Sequence, residues 1–114
     1  MKLHEIVNEL SLQVKSYGGG LERDVTGGYV SDLLSDVMAN SKEGNLWITL
    51  QTHENIVAVA SLRNLAGIII VNKREPPWGT LKKAEDEKIT IMTTQMSAFE
   101  VAGKIYQLLI CGHM

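Results

Sequence analysis

Apolar positions recur along this chain in two alternating rhythms, helical stripes and short unbroken runs, and the alternation predicts helices interleaved with strands. Leu3, Ile6, Val7 and Leu10 fall at i, i+3, i+4 and i+7, so they form one stripe of a short helix whose other face carries Glu5, Asn8 and Glu9. Residues 12 to 15 alternate apolar and polar as a half-buried strand does. Gly18-Gly19-Gly20 then reads as a flexible turn. Residues 29 to 31 have strand composition, and Ser31 or Asp32 is placed to cap a helix carrying Leu33, Leu34, Val37 and Met38. Residues 41 to 45 form a polar loop with Gly44 placed to end that helix, and residues 46 to 50 form the next strand. Thr52 stands at an N-cap position ahead of a helix containing Ile56, Val57, Ala58, Val59, Ala60, Leu62 and Leu65.

The run from residue 67 to 71 is continuously apolar, as in a central parallel strand covered on both faces. Pro76 and Pro77 make residues 72 to 79 a loop, and residues 81 to 88 form a polar helix with Leu81 and Ala84 as its thin apolar face. Residues 89 to 93 are the last strand. Ser97-Ala98-Phe99-Glu100 is a capping box opening a helix with Ala98, Val101, Ala102, Ile105, Leu108 and Leu109 on one side. The alternation implies right-handed crossovers and a three-layer α/β/α domain with a mainly parallel sheet of about four to five strands. The helix around residues 56 to 65 is apolar on nearly every side, so another helix or a second subunit must cover what one sheet leaves bare. With the final helix, this predicts a homodimer.

Length and composition narrow the class. The 114 residues suit one domain, and 45% hydrophobic content can bury a modest core. Eleven basic against thirteen acidic residues give a net charge of −2 with no like-charged block, which argues against nucleic acid or an anionic membrane as partner. Cys111 is the single cysteine, so no intramolecular disulfide forms. No apolar leader or span opens the chain, and a cytoplasmic location is expected. Cys111-Gly112-His113 reads as a solvated tail rather than a nucleophile pair.

Ligands of parallel sheets are expected beyond the carboxyl ends of the strands. Here those ends are Ser31-Asp32, Gln51-Thr52-His53, Asn72-Lys73-Arg74 and Thr93-Thr94-Gln95. All but the third run into helix starts, whose free amides favour phosphate or carboxylate. With Thr26, Gly27 and Gly28 as a turn permitting close backbone approach, the candidate ligand-binding residues are Thr26, Gly27, Gly28, Ser31, Asp32, Gln51, Thr52, His53, Asn72 and Thr94. The competing reading is that Ser31, Thr52 and Thr94 are helix caps alone. Asp32 and Asp36, one helical turn apart, have the spacing of an acid/base pair or of dipole partners. His53 lacks a second histidine at metal-ligand spacing, no Gly-Lys-Ser/Thr phosphate loop occurs, and neither a catalytic residue, a metal nor a cofactor is expected.

Asp24-Val25-Thr26-Gly27-Gly28 resembles the Asp-Arg-Thr-Gly-Gly signature that names the DRTGG domain family, with Val25 in place of the arginine. The likeness continues through residues 29 to 40, 46 to 53 and 66 to 71. It implies a stand-alone form of a domain found beside regulatory nucleotide-binding modules or ahead of acyltransferase domains, with a fold like the N-terminal domain of HPr kinase/phosphorylase, the HPr kinase/MurF N-terminal type. It also implies dimer formation and, because stand-alone members travel with iron hydrogenases in anaerobic bacteria, a hydrogenase-associated partner. No reaction is implied. The function expected is therefore a regulatory module binding a phosphate-bearing ligand, an adenine nucleotide first, or a partner protein. An empty dimerisation scaffold and a small transferase are the alternatives.

Overall fold

The structure, a computed structural model, describes residues 1–111; Gly112-His113-Met114, and with them the expectation of a solvated tail, lie outside the described residues. The chain order is α1 (Leu3–Leu10), β1 (Gln13–Ser16), a 3-10 turn (Gly18–Gly20), β2 (Gly27–Val30), α2 (Leu34–Asn40), β3 (Asn45–Thr49), α3 (Asn55–Leu62), β4 (Gly67–Ile70), α4 (Trp78–Asp86), β5 (Ile91–Thr93) and α5 (Ala98–Cys111). The strands lie in the order β1-β5-β4-β3-β2. β2 to β5 are mutually parallel, and β1 adds antiparallel to β5 with an irregular register between Val14 and Ser16. β4 is central, as its unbroken apolar run predicts.

Side-chain alternation along the strands divides the core into two layers. Leu46, Ile48, Ile69, Val71 and Met92 pack with Leu3, Ile6, Val101 and Ile105 of α1 and α5. Trp47, Ile68, Ile70 and Ile91 pack on the other side with Val37, Ile56, Val57, Ala60 and Ala84 of α2, α3 and α4. The domain is thus three-layered α/β/α with a mixed, mainly parallel five-stranded sheet. Among the described residues no helix is long and apolar enough to cross a membrane.

Several expected boundaries move, each for a local reason. α3 stops at Leu62, because Arg63 caps it and Asn64 turns left-handed at φ 52°, yet Leu65 beyond it remains buried. Most of the apolar breadth of α3 is met by α2 and α4 within the same chain, which bury Ile56, Val57, Val59 and Ala60, while Leu62 stays 73% exposed. α4 takes in Trp78 and Gly79, since Pro77 ends the extended segment at the N-cap, where a missing N–H costs nothing. Gly44 does not end α2. Ser41 does, its Oγ donating to the Val37 carbonyl at 2.6 Å, whereas Gly44 sits three residues on at φ +83°, where a Cβ would fall 2.7 Å from Thr26 Cγ2.

Candidate functional site

The Asp24–Gly28 motif is built into the fold. Asp24 pairs with Lys2 at 3.2 Å, and Val25 is buried in the α1/α5 core, so the residue in the arginine position is here a packing residue. Thr26 Oγ1 donates to the Glu43 carbonyl at 2.8 Å and accepts from Asn45 Nδ2 at 3.2 Å, fastening the loop that leads into β3. Gly27 and Gly28 open β2, in register with Asn45 and Leu46 at the start of β3. They stand at the amino end of the strand, about 10 Å from its carboxyl end at the rise of an extended chain. Thr26, Gly27 and Gly28 therefore do not meet the strand-end residues in one site.

At the carboxyl end of β2, the side chains expected to cap helices hold the strand ends together. Ser31 Oγ accepts from the Leu33 amide at 3.1 Å, so α2 begins after Leu33 with no side-chain cap. Asp32 Oδ1 accepts from Thr49 Oγ1 at 2.8 Å and from the Leu50 amide at 2.7 Å, and Gln51 Nε2 donates to the Asp32 carbonyl at 2.9 Å. Asp32 lies outside α2 and is not paired with Asp36. Asp36 instead accepts from Tyr29 Oη at 2.7 Å and Asn40 Nδ2 at 2.8 Å. That bond to Tyr29, helped by Ser31 and Asn40, holds the Asp36 carboxyl below its ordinary pKa. Reciprocally, donating to Asp36 raises Tyr29.

Thr52 is not the cap of α3, which begins at Asn55 after Glu54. Its carbonyl accepts from Thr80 Oγ1 at 2.8 Å, tying the loop to α4. His53 is exposed, and its Nδ1 accepts from the Asn55 amide at 3.1 Å.

Two of the concavities adjoin the path from β5 through α5. The first, about 520 Å³, lies beyond the carboxyl end of β5 and is lined by Thr93, Thr94, Gln95 and Met96 with Lys73, Glu75 and the α1–β1 turn. Of the ten expected ligand residues it contains Thr94. Asn72 adjoins it, since Asn72 and Lys73 form a left-handed pair at φ 61° and 63° whose amides donate to the Met96 and Thr94 carbonyls. Glu75 is paired with Lys15 at 3.1 Å, and Lys73 adds a cation. Thr94 Oγ1 accepts from the Met96 amide at 3.2 Å, leading into the capping box in which Ser97 Oγ accepts from the Glu100 amide at 3.2 Å.

The second concavity, about 560 Å³, is a groove between α5 and β2 with mostly apolar walls. Gly28, Val30 and Ile48 face Phe99, Ala102, Gly103, Tyr106 and Ile110 across it. Ala98, Val101, Ala102, Ile105, Leu108 and Leu109 mark the face of α5 that turns to the core, and this groove runs along a neighbouring one. The missed signal is a second stripe, Phe99, Gly103, Tyr106 and Ile110 at i, i+4, i+7 and i+11, beside the first.

No protein-family model matches the chain, and neither does any curated protein sequence. In fold it is similar to the crystal structure of the CBS and DRTGG domains of the regulatory region of Clostridium perfringens pyrophosphatase, complexed with the activator diadenosine tetraphosphate. The likeness has a TM-score of 0.78 at 18% identity and covers 98% of this chain and 49% of that one. The chain thus spans about half the length of the structure it matches, and the likeness supports the DRTGG-like fold implied by Asp24–Gly28.

Proposed function

We propose that this chain is a small regulatory module without chemistry of its own, and that it binds a phosphate-bearing ligand, an adenine nucleotide first, at the carboxyl ends of β4 and β5. The observation that carries this is the pocket of about 520 Å³ where parallel sheets receive ligands, with Lys73, Thr93, Thr94 and Gln95 on its wall and its one carboxylate, Glu75, paired with Lys15. Ser31, Asp32, Gln51 and Thr52 are engaged in joining strand ends to loops, so the ligand contacts shift from them to Lys73, Thr94 and Gln95. The fold likeness to a regulatory region crystallised with a dinucleoside polyphosphate supports the ligand class.

Calorimetric titration with adenine mono-, di- and triphosphates and diadenosine tetraphosphate tests the reading. Lys73→Ala is expected to weaken binding about tenfold or more, as loss of a hydrogen bond to a charged group of about 1.5–3 kcal/mol does. Thr52→Ala, outside the pocket, should leave it unchanged. No heat from any of these ligands at millimolar concentration, or equal losses in both variants, would reject the site.

A second reading, self-association as a homodimer, is favoured by one observation. Phe99, Tyr106, Ile110 and Val30 are all large, apolar and exposed around a single groove. A hydrogenase-associated partner and a cytoplasmic setting rest on the family resemblance and the cysteine content. Co-purification of the native protein from its own cells tests the partner.

A further inference from the structure

We infer that the groove between α5 and β2 is a two-fold interface in which α5 of one copy packs antiparallel against α5 of a second copy of this chain. The inference rests on the self-association reading and says where the contact is made. Phe99, Tyr106 and Ile110 are 88%, 69% and 66% exposed and share one stripe of α5 with Gly103. An antiparallel pairing centred between Ala102 and Gly103 is self-complementary, because Phe99 of each copy then meets Tyr106 of the other. The small central pair lets the two helix backbones approach. Charge agrees with this register, since Glu100 of one copy lies within about one residue's rise of Lys104 of the other on the same flank.

Glycine at two positions supports a close neighbour. Gly28 lies in β2 and Gly103 in mid-helix, neither with positive φ, and both line the groove. A Cβ at Gly103 would meet nothing within 4 Å, and one at Gly28 would make only ordinary contact with the Leu46 carbonyl at 3.6 Å. The fold of one chain gives no reason for glycine at either place, although glycine weakens helix and strand interiors relative to alanine. A second backbone passing over the groove supplies the reason. It would also cover Val30, half exposed on the unpartnered edge strand β2.

Sedimentation velocity and light scattering from micromolar to millimolar protein, with circular dichroism as the folding control, provide the test. Wild type is expected at twice the 12.6 kDa chain mass. Phe99→Glu and Tyr106→Glu, at exposed positions that the monomer fold does not need, are expected to fold and to raise the dimer dissociation constant by roughly 30-fold or more. Trp78→Glu, 75% exposed on the opposite layer, should leave it unchanged. A wild-type monomer throughout the range overturns both self-association and this interface. A dimer that survives Phe99→Glu and Tyr106→Glu, or that Trp78→Glu breaks instead, keeps self-association and overturns the interface.

Discussion

The two faces of the sheet are covered unequally. On one, α2, α3 and α4 lie over β2 to β5, and Trp47, Ile68, Ile70 and Ile91 beneath them are fully buried. On the other, α1 and α5 cover the sheet, and α5 lies alongside β2 and β3 but leaves Val30 and Gly28 open in the groove between them. Three helices cover one face and leave only separate apolar residues exposed, Leu33, Leu62 and Trp78, whereas two helices leave the other with an apolar groove. An excess of apolar residues in sequence therefore does not locate an interface. The broadly apolar α3 buries all its large apolar side chains but Leu62, whereas α5, with polar residues among its apolar ones, exposes Phe99, Tyr106 and Ile110 along one stripe.

The largest effect that separates the faces is expected at Trp47, whose ring is buried and whose Nε1 donates to the Ser31 carbonyl at 2.7 Å. Trp47→Ala should cost about 3–5 kcal/mol in urea unfolding. By contrast, Phe99→Ala should change monomer stability by less than about 0.5 kcal/mol when measured at concentrations too low for association. A comparable loss at Phe99 in dilute solution would show that the groove is closed within one chain.

Next in size is the start of α5, which links the pocket beyond β5 to the groove. Ser97→Ala removes the observed cap and should cost about 0.5–2 kcal/mol of thermal stability, whereas Thr52→Ala, whose side chain caps nothing, should cost less than the smaller of those figures. Equal losses would restore Thr52 as a cap. Gly103→Ala should run the other way, stabilising the dilute monomer by up to about 1 kcal/mol while weakening association. Stabilisation of both would remove the need for a close neighbour at Gly103.

The smallest expected effect is a dependence on pH in the closed layer. Because the folded pKa of Asp36 is lowered, its contribution is complete above the unfolded carboxyl pKa and is lost as pH falls through the folded value. Because that of Tyr29 is raised, its contribution is complete below the unfolded phenol pKa of about 10 and is lost as pH rises through the folded value. Tyr29→Phe should flatten both limbs of the stability–pH curve. Unchanged limbs would assign them to other groups.

Features that are local or periodic can be read along the chain. The stripe of α1, the capping box of α5, the central position of the apolar run in β4 and the alternation implying parallel crossovers were all legible, because each depends on neighbours a few residues away. Which polar groups the fold engages depends on contacts distant in sequence. Ser31 and Thr52 have the composition of caps, yet Ser31 supports a turn and the Thr52 carbonyl anchors α4, choices fixed by Thr80 and the strand ends that no window along the chain contains. The tertiary fold also places Thr26, Gly27 and Gly28 at the amino end of β2. Strand direction and register, set by the pairing of Gly27 with Asn45, separate them from Thr94 and Asn72. The groove likewise arises where α5 runs past the edge strand, since coverage is a property of how layers overlap, and the sequence of either element alone does not contain it.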